Sequence, residues 1–296
     1  MKCIRYFLAL FALVLLSPSL LASVTVDSVN FPVWIERDGK RLPAAPGDQL
    51  ESGDVVQTGL TGRAWLSAED GSAIKLGQAT RFTIERSGFR DDAGTSIWDA
   101  GFNVLKGAFR FTSGFFVGPR KAGHEVDFQV GAVTIGVRGT DIWGRSGDDE
   151  DFVALLEGRI EASSAGDEAV LMETPLTLYR KAEGQPADPV APVAAEVVAD
   201  LAPETELDRN AGLVSRNGHV TLVVQSFQFE DLANAAVARF HDAGYPVVTS
   251  LIDVNGQSFI RIQMDGLASR RSALSLANEL SENLGVEGAW ISTGSP

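Results

Sequence analysis

From Val24 to about Ala182, apolar and polar positions alternate in short runs. Arg63-Ala64-Trp65-Leu66-Ser67, Ala73-Ile74-Lys75-Leu76, Arg81-Phe82-Thr83-Ile84-Glu85 and Ala108-Phe109-Arg110-Phe111 all follow this pattern. A period of two is that of a strand with one face in the core. Turn signals separate the runs, among them Asp38-Gly39, Pro46-Gly47-Asp48, Ser52-Gly53-Asp54, Asp70-Gly71, Lys106-Gly107 and Glu157-Gly158. No stretch sustains a helical period. The pattern predicts an all-β N-terminal domain over residues 24–182, of sandwich, jelly-roll or β-helical type.

After residue 216 the pattern changes. His219 to Phe227 reads as a strand, and Glu230 to Ala243 as a helix with Ala233, Ala236, Val237 and Phe240 on one face, capped by Gly244. Val247 to Val254 and Ser258 to Met264 read as strands joined by Asn255-Gly256, a strong hairpin signal. Ser269 to Leu284 forms a second helix ended by Gly285, and Gly288 to Ser292 a closing strand. The order predicts an α+β C-terminal domain over 216–296 with βαββαβ (split βαβ) topology. Residues 183–215 hold four prolines and seven acids against one arginine, which reads as an extended acidic linker.

The first 23 residues carry a different message. Lys2 and Arg5 precede an apolar run from Tyr6 to Leu16, followed by Pro18 and small residues around Ala22. That is the layout of a cleaved export signal over 1–23, the alternative being an uncleaved inner-membrane anchor. The expected location is the periplasm. Cys3 is the single cysteine, so no internal disulfide can form.

Charge narrows the function classes. The chain carries 25 Lys and Arg against 39 Asp and Glu, a formal net of −14, and the segment 216–296 has five Arg, no Lys and eight acids. Such a surface repels phosphate backbones, and no nucleic acid partner is expected. Three histidines without metal-ligand spacing, and no Gly-x-Ser-x-Gly elbow or phosphate loop, give no sign of an enzyme or a cofactor. The acid cluster Asp148-Asp149-Glu150-Asp151 lacks the spacing of a calcium loop and reads as a solvated turn. Arg138, in Val137-Arg138-Gly139-Thr140, reads as a buried or half-buried residue that satisfies carbonyls near the glycine turn, the alternative being a ligand contact.

Two stretches resemble known families. Gly47-Asp48 through Thr58-Gly59, Gly62-Arg63-Ala64 with Asp70-Gly71-Ser72, and Thr134-Ile135-Gly136-Val137-Arg138-Gly139-Thr140 resemble the FecR-like domain of bacterial envelope proteins, over about residues 42–163. That resemblance implies architecture and an envelope location rather than chemistry. The C-terminal segment resembles the SPOR domain, a peptidoglycan-binding module. The residues that carry it are Val223-Val224-Gln225-Ser226-Phe227, Ala233-Asn234-Ala235, Gly244-Tyr245, Ser258-Phe259-Ile260-Arg261-Ile262 and Gly288-Ala289-Trp290-Ile291, while Gly266-Leu267 departs from the family's usual turn. The resemblance implies binding of denuded glycan strands on the open sheet face, through Gln225, Ser226, Phe259 and Arg261 with Trp290 or Ile291 on the edge strand. It fits a non-catalytic wall-binding protein, with division sites as one location. The alternative is a signalling or scaffold protein whose β domain binds an envelope protein partner while the C-terminal domain anchors it.

Overall fold

The computed structural model describes residues 24–114 and 123–292. The export-signal reading falls on 1–23 and lies outside the described residues. In chain order the first strands are β1 (Val24–Asn30), β2 (Val33–Arg37), β3 (Lys40–Pro43), β4 (Gln49–Leu50), β5 (Val55–Thr58), β6 (Arg63–Ala68), β7 (Ala73–Leu76) and β8 (Arg81–Asp92). Then come β9 (Thr95–Thr112), β10 (Gly123–Val130), β11 (Val133–Val137), β12 (Asp141–Ser146), β13 (Glu150–Glu157), β14 (Ile160–Ser164), β15 (Val170–Met172) and β16 (Thr177–Ala182).

These strands form a sandwich. One sheet runs β3-β2-β5-β8-β9-β10-β11-β14-β15. The other runs β16-β13-β12-β9-β7-β6-β1, so β9 belongs to both. Alternation decides which residues line the core. Ala64, Leu66, Ile74, Leu76, Phe82, Ile84, Phe109 and Phe111 are all fully buried. Phe128 lies at the centre of an aromatic cluster, with ring centroids 5.0–5.1 Å from those of Phe102, Phe109 and Phe111.

The crossover of β9 between sheets occurs at Lys106-Gly107. Residues up to Lys106 pair with β8, and those from Gly107 onward pair with β12. Gly107 has φ +95°, and a Cβ there would lie 2.5 Å from the Thr80 Cα. Only glycine allows both the turn of the backbone and the close approach of Thr80.

The motif residues of this domain hold its turns. Asp54 is buried and accepts from Arg37 Nε (2.8 Å) and Nη2 (2.6 Å) and from the Glu51 amide (2.8 Å). Asp70 accepts from the Ser72 amide and hydroxyl, closing the Asp70-Gly71 turn. Thr58 donates to the Gly77 carbonyl and accepts from the Thr80 amide. Asp148 of the acid cluster pairs with Lys106, Glu150 with Arg180, and Asp151 accepts from the Ala132 amide, so these three acids diverge.

Residues 183–215 are not the free extended chain that their composition suggests. β17 (Ala191–Pro192) adds to β16, α1 (Ala195–Leu201) and a single 3-10 turn (Ala202–Glu204) follow, and β18 (Val214–Ser215) pairs with β1. The acids meet cations of the sandwich instead of only repelling one another. Glu206 pairs with Lys75 at 2.6 Å, Glu204 pairs with Arg145, and the Glu204 carbonyl accepts from Arg63 at 3.0 Å. Asn30 fastens the far end, donating to the Asp208 and Ala211 carbonyls and accepting from the Asp208 amide. The segment is a strap.

The remaining elements are β19 (Val220–Phe227), α2 (Glu230–Asp242), β20 (Val248–Val254), β21 (Gln257–Leu267), α3 (Arg270–Leu284) and β22 (Trp290–Ser292). Their strands run β22-β19-β21-β20, each antiparallel to its neighbour. The helices cover one face: Phe240, Ala273, Leu276 and Leu280 share a core with Leu222, Ile262 and Met264. Ser269 caps α3 by accepting from the Ser272 amide, and Gly285 ends it in the left-handed conformation. Asn255 and Gly256 both have positive φ, as a type I′ hairpin turn requires.

This unit docks on the sandwich. Tyr245 packs at a tilt against Phe31 with centroids 5.5 Å apart, and Trp34 Nε1 donates to the Asp242 carbonyl. Val214 of β18 pairs with Val29 on one side and Leu267 on the other, joining the C-terminal sheet to the edge of the sandwich.

Candidate ligand-binding sheet face

The helices leave the opposite face of the C-terminal sheet open, and pairing register decides what stands on it. On β21, Ile262 and Met264 point to the helices, so Phe259, Arg261 and Gln263 take the open side. Ser226 and Ser250 flank Arg261 on the neighbouring strands, and Ile252 lies opposite Phe259. On β19, Val223 lies between Gln263 and Trp290.

Trp290 and Arg261 form the centre of this face. The Trp290 ring is 43% exposed, and the Arg261 guanidinium lies over it, 5.7 Å from a ring centroid. That arrangement is a cation–π contact on a solvent-facing ring. Arg261 Nε is buried and has no hydrogen-bond partner among the described residues. A polar strip runs alongside: Ser250 donates to Gln263 Oε1 (3.0 Å), Gln263 donates to Asp265, and Thr221 donates to Asp265 Oδ1 (2.6 Å).

Of the six residues selected from the sequence, four share this face: Ser226, Phe259, Arg261 and Trp290. Two do not. Ile291 lies opposite Leu222 and packs against the buried core, because Trp290 and Ile291 alternate across the sheet. Gln225 follows an irregularity between Val223 and Gln225, which sets it opposite Ile262 in the buried row. A bulge shifts the alternation by one residue, and residue counting does not reveal it. The residues that sequence reasoning missed are Gln263, Ser250 and Thr221; the signal was parity with Arg261 along β21 and across the hairpin for the first two, and parity with Val223 along β19 for Thr221.

A second cleft, of about 700 Å³, lies on the outer face of the sandwich around Arg90, Glu125, Asp127, Arg138, Arg159 and Glu161. Arg138 is exposed there rather than half-buried, which corrects its reading as a carbonyl-satisfying residue. The turn is held by its neighbour instead: the Thr140 amide donates to Ser113 Oγ, and the Ser113 amide to the Thr140 carbonyl. Most charges in the cleft are already paired: Arg90 with Glu125, and Arg86 with Asp99 and Asp127. Among the described residues, no cluster of His, Cys, Asp or Glu is grouped to hold a metal ion, and no helix is long and apolar enough to cross a membrane.

Comparisons with known proteins bear on the sandwich. No curated protein matches the chain. Two crystal structures described as a "putative anti-sigma factor" from Parabacteroides distasonis are similar to it, each with a TM-score of 0.38. One is 11% identical, with 81% of this chain and 99% of that chain covered. The other is 12% identical, with 78% and 91% covered. Residues 54–161, which form the greater part of the sandwich, match the FecR protein family.

Proposed function

We propose that the chain is a non-catalytic protein of the bacterial cell envelope that holds denuded peptidoglycan strands on the open face of its C-terminal sheet. The observation that carries this reading is the half-exposed Trp290 ring with Arg261 over it, beside Ser226 and Phe259. A flat aromatic face stacks on a pyranose ring. A guanidinium with an unengaged Nε, together with hydroxyl groups, supplies hydrogen bonds for sugar hydroxyl and acetamido groups. The βαββαβ order with its 4-1-3-2 strand arrangement is that of the split βαβ fold and supports the SPOR-like reading. The sandwich then acts as a rigid carrier, and an export signal at 1–23 would deliver the protein to the periplasm.

The FecR match favours a second reading for the sandwich, envelope signalling or scaffolding through a protein partner, with Arg138 and its cleft as the contact surface. The two readings are compatible. One describes where the protein is held, the other what it presents.

The test is co-sedimentation with purified sacculi before and after amidase treatment, which strips stem peptides. Amidase treatment is expected to raise binding by the wild-type chain, and Trp290→Ala with Arg261→Ala to abolish it while the melting temperature stays unchanged. Ile262→Ala is the control: emptying a fully buried site costs about 2–5 kcal/mol, so it loses binding only by unfolding. A neutral glycan ligand also predicts weak dependence on salt, unlike binding to phosphate. A folded double variant that binds treated sacculi at wild-type strength would remove this face as the site.

A further inference from the structure

The sheet ends of this molecule are not alike. β3 is charged and ends in proline (Lys40-Arg41-Leu42-Pro43), β15 has three residues, β17 has two including Pro192, and β22 has three. Short length, cations and proline are the devices that keep an edge from pairing with another chain. β20 uses none of them. It runs seven residues, Val-Thr-Ser-Leu-Ile-Asp-Val, about 23 Å at strand rise, with one charge and no proline or glycine. It pairs with β21 on one side, and among the described residues no strand pairs with its other side. Leu251 at its centre is 75% exposed.

The strand is also complementary to itself. Laid antiparallel against a second copy and centred on Leu251, it brings Val248 opposite Val254, Thr249 opposite Asp253, Ser250 opposite Ile252, and Leu251 opposite Leu251. Val248 and Val254, each nearly half-exposed, then cover one another. The Asp253 carboxylate gains a hydroxyl donor and avoids its own copy. All seven residues are used only in this register. A shift of two toward the turn sets Asp253 next to itself or loses overlap, and a shift of one inverts the faces of the two sheets. The register also continues the core: Phe227, Ile260 and Leu251 form one cross-strand row on the helix side, and the second copy extends it.

We infer that the chain forms a two-fold symmetric dimer through antiparallel pairing of β20 with β20 of a second copy, giving one eight-stranded sheet. Both Trp290–Arg261 faces then lie on the same side of that sheet. An isologous contact of this kind closes on itself, and the joined sheet then ends on both sides in the three-residue β22.

The experiment is sedimentation equilibrium of the chain from Val24 to Pro296 over a range of concentrations. The wild type is expected to dimerise. Leu251→Lys is expected to be monomeric with an unchanged melting temperature, since the side chain it replaces is exposed. Thr249 provides the register test: Thr249→Lys, facing Asp253 twice per dimer, should tighten the dimer several-fold, and Thr249→Glu should weaken it by a similar factor. A wild-type chain that is monomeric at every concentration reached overturns the proposal. So does a dimer that Leu251→Lys leaves intact, or one whose strength moves the same way for both Thr249 variants.

Discussion

At the scale of single residues, the most informative titratable group lies where the two units meet. Glu279 of α3 is half-buried, and burial pushes its carboxyl above the usual range, although the hydrogen bond from Tyr245 (2.7 Å) opposes the shift. The same burial, with the Glu279 charge beside it, raises the Tyr245 hydroxyl far above its ordinary value. A carboxyl whose pKa is raised on folding prefers its neutral form in the native state. Its stabilising contribution is full below the unfolded pKa and is lost as pH rises through the folded one. Glu279→Gln keeps an acceptor for Tyr245 and cannot ionise. It should raise the melting temperature at neutral pH and leave it nearly unchanged at pH values below the ordinary carboxylate range, as thermal unfolding across pH would show. A gain that is the same at every pH would assign the effect to packing instead.

At the scale of elements, the strap over 183–215 separates what sequence can reveal from what it cannot. The alternation of Ala64, Leu66, Ile74 and Leu76 is local, and it marks both the strands and their buried faces. The two helices are legible for the same reason: Ala233 and Phe240 recur at helical spacing, and Gly285 ends α3 where expected. The strap depends on charges far apart in the chain. Glu206 meets Lys75 across 131 positions, so an acidic, proline-containing stretch reads as repelling chain when its cations are not visible beside it. The open face was legible where alternation held, at Phe259 and Arg261, and misread where the bulge before Gln225 broke it. Limited proteolysis tests the strap. The wild type should resist cleavage at 195–215 at low salt, and Glu204→Lys with Glu206→Lys should expose that stretch while the sandwich stays resistant. Equal cleavage in both chains would show that the ion pairs do not hold it.

At the scale of the whole molecule, the sandwich and the C-terminal unit share one continuous hydrophobic core through Phe31, Tyr245 and Val214. Two units joined in this way should unfold together. Calorimetry should therefore give one transition for the wild type. Tyr245→Ala removes the ring from Phe31 and the hydroxyl from Glu279, and should split the transition in two. Two transitions in the wild type would mean that the shared core couples the units too weakly to matter.

The two-residue strand β18 has a mechanical consequence. It is one hydrogen-bonded link between the sandwich and the C-terminal unit, joining β1 to β21 with Val214 bonded on both sides. If, as proposed, the sheet face is held on a rigid polymer and the sandwich on a partner, tension between them crosses β18 together with the Phe31–Tyr245 and Trp34–Asp242 contacts. A two-residue ladder yields before a nine-strand sheet does. Pulling, unlike heating, loads this seam first: β18 and the Phe31–Tyr245 contact part together before the strands of the sandwich do.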